Sequence, residues 1–222
     1  SATVSNADEL AGWIDTVRGS TELVIHRERP VALTNLYAVS DRDAGRDHLI
    51  PTLVEGAPNP EGHRFTDPPK AHRRGSSKPK RRKRFLTPRR PEMVDTLIDN
   101  SMLPAIVFIF SRAGCNAAAA QLSDAGVVLT EPEERTLIRQ IAERHAQHLL
   151  PADRDVLRFD RFVRSLEQGI AAHHAGLVPA FKETVEECFV RGLVRLVFAT
   201  ETLALGINMP ARAVVIERLT KF

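Results

Sequence analysis

Three strings in the sequence set polar side chains directly after apolar runs, where a buried strand would pass into a loop. Ser111-Arg112 follows AIVFIF at 105–110. A hydroxyl and a guanidinium at a helix start, beside free backbone N–H groups, make a phosphate site. Plain helix capping by Ser111 is the competing reading. His173-His174-Ala175-Gly176 closes GIAAHH at 169–174. Adjacent strand residues point to opposite faces and no third ligand lies near, so a metal is not expected; an ordinary histidine competes with a functional one. Thr200-Glu201-Thr202, running on through Gly206 to Asn208, follows LVRLVFAT at 193–200. Two hydroxyls can bind phosphate oxygens, Gly206 permits close approach, and Asn208 offers a bidentate amide. Strand-to-helix capping is again the alternative.

The elements that must carry these strings alternate. A helix over 92–100 leads to the strand at 105–110, then come an Ala-rich helix at 112–125 ended by Gly126 and two helices at 131–149 and 153–167, with Pro151 between them as a breaker. The strand at 169–174, a helix at 179–191, and strands at 193–200 and 213–217 complete the series. Strand, helix, strand units at this spacing imply a parallel sheet with helices on its faces, an α/β fold. In such sheets the functional loops lie beyond the carboxyl ends of the strands, where the three strings fall.

Upstream, Asn6 and Glu9 have capping-box spacing ahead of a helix over 6–18 with Leu10, Trp13, Ile14 and Val17 on one face. Residues 22–27 and 31–39 read as extended segments parted by Pro30. From 40 to 91 the apolar pattern disappears. Between Lys70 and Arg90 there are 11 cations and no acidic residue, a composition that cannot offset its ordering entropy and is expected to form a disordered basic insert.

The 222 residues are 43% hydrophobic, enough for a real core. One Trp and one Tyr argue against aromatic stacking platforms, so nucleic-acid binding would go through phosphates. Cys115 and Cys188 lack metal-ligand spacing, and no apolar run approaches a membrane span; a reduced, cytoplasmic chain without membrane contact is expected. The lack of an initial Met and the end just after an apolar run suggest a piece of a longer protein.

The string HHAGLVPAFKETVEECFVRGLVRLVFATETLALGINMPARAVVI resembles the DExH group of superfamily 2 helicases, the superkiller-like and exosome-associated RNA helicases, over its whole length. The three loops resemble that family's motifs IV, IVa and V, and Ser1-Ala2-Thr3 resembles motif III. The Arg and Ala content and the basic insert resemble an actinobacterial branch. The resemblance implies a RecA-like sheet at 92–222, truncated before motif VI, with 1–39 as the end of a first RecA-like domain and a connector, and 40–91 as an insert. It also implies coupling roles for Ser1 and Thr3, nucleic-acid contacts for Ser111, Arg112, His174, Gly176, Thr200 and Thr202, and a nucleotide-facing position for Gly206 and Asn208. ATP and Mg²⁺ would be the cofactors, and single-stranded or partly duplex nucleic acid, RNA favoured, the partner. No phosphate loop, DExH string or arginine-finger segment is present, so no catalytic residue is assigned. The alternative is a non-enzymatic nucleic-acid-binding module working through residues 70–90.

Overall fold

The computed structural model describes residues 6–26, 31–65, 84–204 and 209–218. The expectations for Ser1, Thr3, Gly206 and Asn208, for the side chain of Thr202, and for the basic run at 66–83 therefore lie outside the described residues. The chain divides into two compact units, Ser1–Tyr37 with Leu49–Arg64 and Ala38–His48 with Phe65–Phe222.

The smaller unit begins with α1, Ala7–Arg18. The expected capping box does not form: the Asn6 amide donates to Glu9 Oε2 at 2.8 Å, and no side chain caps the first turn. A carboxylate competes better for the amide N–H than solvent does, so the pair satisfies itself rather than the helix end. The apolar stripe is real but uncovered, with Trp13 64% exposed. Residues 22–26 form no strand, and the strand expected at 31–39 is β1, Leu36–Asp41. After β2, Arg46–Pro51, come β3, Leu53–Val54, and β4, Ala57–Pro58, an antiparallel pair turned by Glu55 and Gly56 at φ 51° and 79°. A 3-10 helix, Pro60–Phe65, follows.

Within the stretch expected as an insert, residues 46–65 and 85–91 carry regular elements. In the larger unit β1 pairs antiparallel with β5, Phe85–Leu86, setting Ser40 opposite Leu86 and Asp41 opposite Phe85. Asp41 replaces the missing apolar pattern as the organiser. Its Oδ1 accepts the N–H groups of Asp43 and Ala44 at 3.0 and 3.2 Å, an Asx turn, and its carboxylate accepts two bonds from Arg84 at 2.9 and 2.7 Å. The guanidinium holds this carboxyl far below the usual carboxylate range.

The main body follows as α2, Arg90–Asp99; β6, Ala105–Phe108; α3, Arg112–Asp124; α4, Pro132–His145; α5, Pro151–Val156; α6, Phe159–Glu167; β7, Ile170–His173; α7, Pro179–Val190; β8, Leu196–Ala199; and β9, Ala213–Ile216. The single helix expected at 153–167 is two, because Arg158 sits in the left-handed region at φ 55°. Pro151 opens α5 at its first turn, where its missing N–H is not needed.

The last four strands form one parallel sheet in the order β7-β8-β6-β9. Side chains alternate across it. Ala105, Val107, Ile170, Leu196 and Phe198 face α2 and α3 through Val94, Cys115, Ala118 and Leu122. Ile106, Ala171, Val197 and Ala199 face α4, α6 and α7 through Ile141, Leu166, Val185 and Phe189. The α/β, RecA-like architecture with helices on both faces is therefore present. Burial pushes the thiols of Cys115 and Cys188 up to about 11 and about 12, so both stay protonated core side chains.

Truncating Phe198, fully buried on β8, to alanine should cost about 3–5 kcal/mol. Urea unfolding of this chain would read it as a lower midpoint at unchanged slope; a cost below about 1 kcal/mol would mean that this face is not tightly packed.

Candidate nucleic-acid interface

The sheet register brings the strand ends into one row. His173 lies opposite Ala199, Ala199 opposite Phe108, and Phe108 opposite Ile216. The three polar strings all leave this row, so their common location follows from backbone hydrogen bonding.

Ser111 is the N-cap of α3, in an extended conformation at φ −152°, and its Oγ accepts the Gly114 N–H at 3.1 Å. The capping reading is therefore correct for Ser111. Capping occupies one lone pair and leaves the hydroxyl proton free to turn toward a ligand. Ile109 N–H bonds Ala199 C=O at 2.9 Å and carries the β6–β8 ladder to the edge of this turn. A Cβ at Gly114 would stand 2.9 Å from Ile109 Cγ2, so glycine lets α3 close down on the strand that feeds it. Arg112 is exposed in the first turn, where the helix dipole favours anions.

His173 and His174 point to opposite sides, as strand geometry demands. His174, only 4% exposed, accepts the Gly176 N–H at Nδ1 at 3.2 Å. Its Nε2 therefore carries the proton and donates to Asn116 Oδ1 on α3 at 3.0 Å. Burial, and then the Arg112 guanidinium, hold this imidazole below its ordinary value of 6.5 and keep it neutral. A Cβ on Gly176 would meet His174 Nδ1 at 3.3 Å and Arg112 Cδ at 3.4 Å. The Arg112 side chain thus lies over the glycine turn, which brings the first two strings together.

His173 turns to the other face, with Nε2 2.8 Å from Glu186 Oε1 on α7. Its backbone carbonyl accepts the Thr200 N–H at 3.3 Å, joining the second string to the third. Thr200 is buried, and a 3-10 helix, Glu201–Ala204, begins immediately after it, with Leu203 N–H bonded to Thr200 C=O at 3.1 Å and Leu203 packed into the core. Thr202 lies on this turn.

Of the sequence-based candidates, Ser111, Arg112, His174 and Gly176 converge, and Thr200 adjoins them through the β7 carbonyl. Asn116 and Glu186 were not anticipated. A polar residue directly ahead of the Ala run, four positions after Arg112, was the available signal for Asn116. Glu186 had none, because its partner is 13 residues away on another element. Among the described residues no group of three or more His, Cys, Asp or Glu side chains is placed to hold a metal.

No family model matches the chain. The whole chain is 45% identical over 232 residues to a protein named probable helicase HelY from Mycobacterium tuberculosis, of which it covers 25%. It is 38% identical over 257 residues to the chloroplastic DExH-box ATP-dependent RNA helicase DExH15 of Arabidopsis thaliana, covering 21% of it. It is 32% identical over 232 residues to human superkiller complex protein 2, covering 18%. The chain thus spans about a quarter or less of the length of the curated relatives it matches.

The neutral His174 makes the site sensitive to acid. An imidazole with a lowered value in the folded chain takes up its proton later than the unfolded chain does, so stability falls as pH drops below 6.5 toward the folded value. Thermal melts of the wild type and His174→Gln from pH 7.5 to 5.5 should show a steeper acid-side loss for the wild type. Parallel curves would mean that His174 titrates normally.

Proposed function

This chain is homologous to the superfamily 2 DExH helicases of the superkiller-like group and resembles actinobacterial HelY; from this we propose that it is the strand-gripping part of an ATP-dependent helicase motor. The observation that carries the reading is the row of strand ends, from which Ser111-Arg112, His174-Gly176 and Thr200 emerge together. Arg112 and the N–H groups at the start of α3 take one phosphate, and the Thr200 and Thr202 turn takes another. His174, held neutral between Asn116 and Gly176, sets the shape of the turn under Arg112 rather than contributing charge. Contacts of this kind read the backbone and not the bases, so strand binding is sequence-independent and salt-sensitive.

In this reading residues 92–222 are the second RecA-like domain and 1–39 lead out of the first. Ser1 and Thr3 couple hydrolysis to strand movement, and Gly206 and Asn208 face the nucleotide. ATP hydrolysis supplies the energy for closing the two domains, while Mg²⁺ and most nucleotide contacts belong to the phosphate loop and DExH carboxylates, which these 222 residues do not contain. RNA is the favoured strand because the Arabidopsis relative is named an RNA helicase. Reduced, buried cysteines are consistent with a cytoplasmic protein.

The binding-module alternative loses some of its basis. The cations of 70–90 that lie among the described residues are engaged in ion pairs: Arg84 with Asp41, Arg89 with Glu92, and Arg90 with Glu217.

ATP hydrolysis by the intact protein, with and without single-stranded RNA, tests the proposal. Stimulation by RNA is expected, Thr200→Ala should reduce it about tenfold, and Arg112→Ala should weaken binding about tenfold and lower the log–log salt slope by about 0.7. An intact protein that binds RNA without hydrolysing ATP, and loses all affinity on deletion of 70–83, would instead be a binding module.

A further inference from the structure

The His173–Glu186 contact lies outside the phosphate-gripping residues assigned above. An ionised carboxylate only accepts, so at 2.8 Å the Nε2 of His173 must carry the proton and donate it to Glu186 Oε1. The ring is 5% exposed, and its Nδ1 is buried without a hydrogen-bond partner. Glu186 is therefore the one polar anchor of this imidazole among the described residues.

What the anchor secures is the backbone at the end of β7. His173 is the last residue of that strand, and its carbonyl makes the final bond of the β7–β8 ladder, to Thr200 N–H. At 3.3 Å that bond is longer than the 2.9 Å bond by which Ile109 continues β6 beside Ala199. A weak terminal rung leaves the start of the Thr200 turn dependent on other restraints. Helix α7 supplies two of them: Val185 and Phe189 pack in the same core cluster as Leu203, and Glu186, between them in sequence, holds His173.

We infer that His173 and Glu186 form a positioning pair, which fixes the end of β7 and so sets where the Thr200 turn meets the strand phosphate. Neither side chain touches nucleic acid. The inference rests on the proposed helicase reading, since it assigns the pair to that same phosphate grip. A charge-assisted hydrogen bond of this kind is worth about a factor of ten in an equilibrium it controls.

The test uses the intact protein and reads the RNA concentration for half-maximal ATPase stimulation separately from the maximal rate. Glu186→Ala should raise that concentration about tenfold and change the maximal rate less than about twofold. Glu186→Gln keeps an oxygen acceptor, and His173→Gln keeps a donor at the Nε2 position; both should stay within about threefold of wild type. His173→Asn, whose amide falls short of Glu186, should behave like Glu186→Ala. If Glu186→Ala does not fold, Glu186→Asp, one methylene too short for the 2.8 Å contact, serves in its place. A stimulated wild type with Glu186→Ala and His173→Asn inside twofold overturns the pair while leaving the helicase reading intact. Equal shifts in all four variants, together with lowered melting temperatures, would also overturn it, because the residues would then be structural only. A wild type that RNA does not stimulate removes the helicase reading and this inference with it.

Discussion

The parallel register of four strands is the constraint on which the rest of the molecule depends. Because His173, Ala199, Phe108 and Ile216 stand side by side, every chain segment that follows a strand starts from the same edge. Parallel strands must be reached by crossovers: α3 to α6 carry the chain from β6 to β7, and α7 carries it from β7 to β8. The row of loops is thus a by-product of building the core at all. Polar side chains placed there need not be gathered by long-range contacts of their own.

Two neighbouring histidines then serve opposite sides of the sheet. His174 goes to α3, where Asn116 and the Gly176 N–H fix its tautomer, and Arg112 lies across the glycine. His173 goes to α7 and Glu186. Strand alternation alone makes this division, and it ties each face's helix to the loop it supports. α3 shapes the proposed phosphate site that begins with its own capped N-terminus, while α7 packs with Leu203 of the turn that follows Thr200. In the proposed motor, a shift of either helix would be felt first at these loops.

Much of this was legible in the sequence, for identifiable reasons. AIVFIF and LVRLVFAT announce buried strands because both their faces are covered, and the loop residues follow by position. The hairpin around β1 and β2 was not legible, since an Asx turn at Asp41 and its pairing with Arg84, 43 residues on, leave no periodic trace. Of the extended segments read at 22–27 and 31–39, the second passes into a strand from Leu36, and residues 22–26 carry no regular element. Propensity describes a residue's fit to a sheet, and residues 22–26 pair with no strand among the described residues. Arg158 split a predicted helix by adopting a left-handed conformation, which no local signal in the sequence records. The Asn116–His174 bond spans 58 residues and could not be read either.

In the proposed motor the three strand-end loops act as one surface on nucleic acid. Hydrogen–deuterium exchange of the intact protein, with and without single-stranded RNA, tests it most directly, because it reads all three loops in one experiment. Amides at 111–116, 174–177 and 200–204 should be protected together, and the protection should weaken together as salt is raised. Protection confined to the basic stretch at 70–90, with the three loops unchanged, would contradict it.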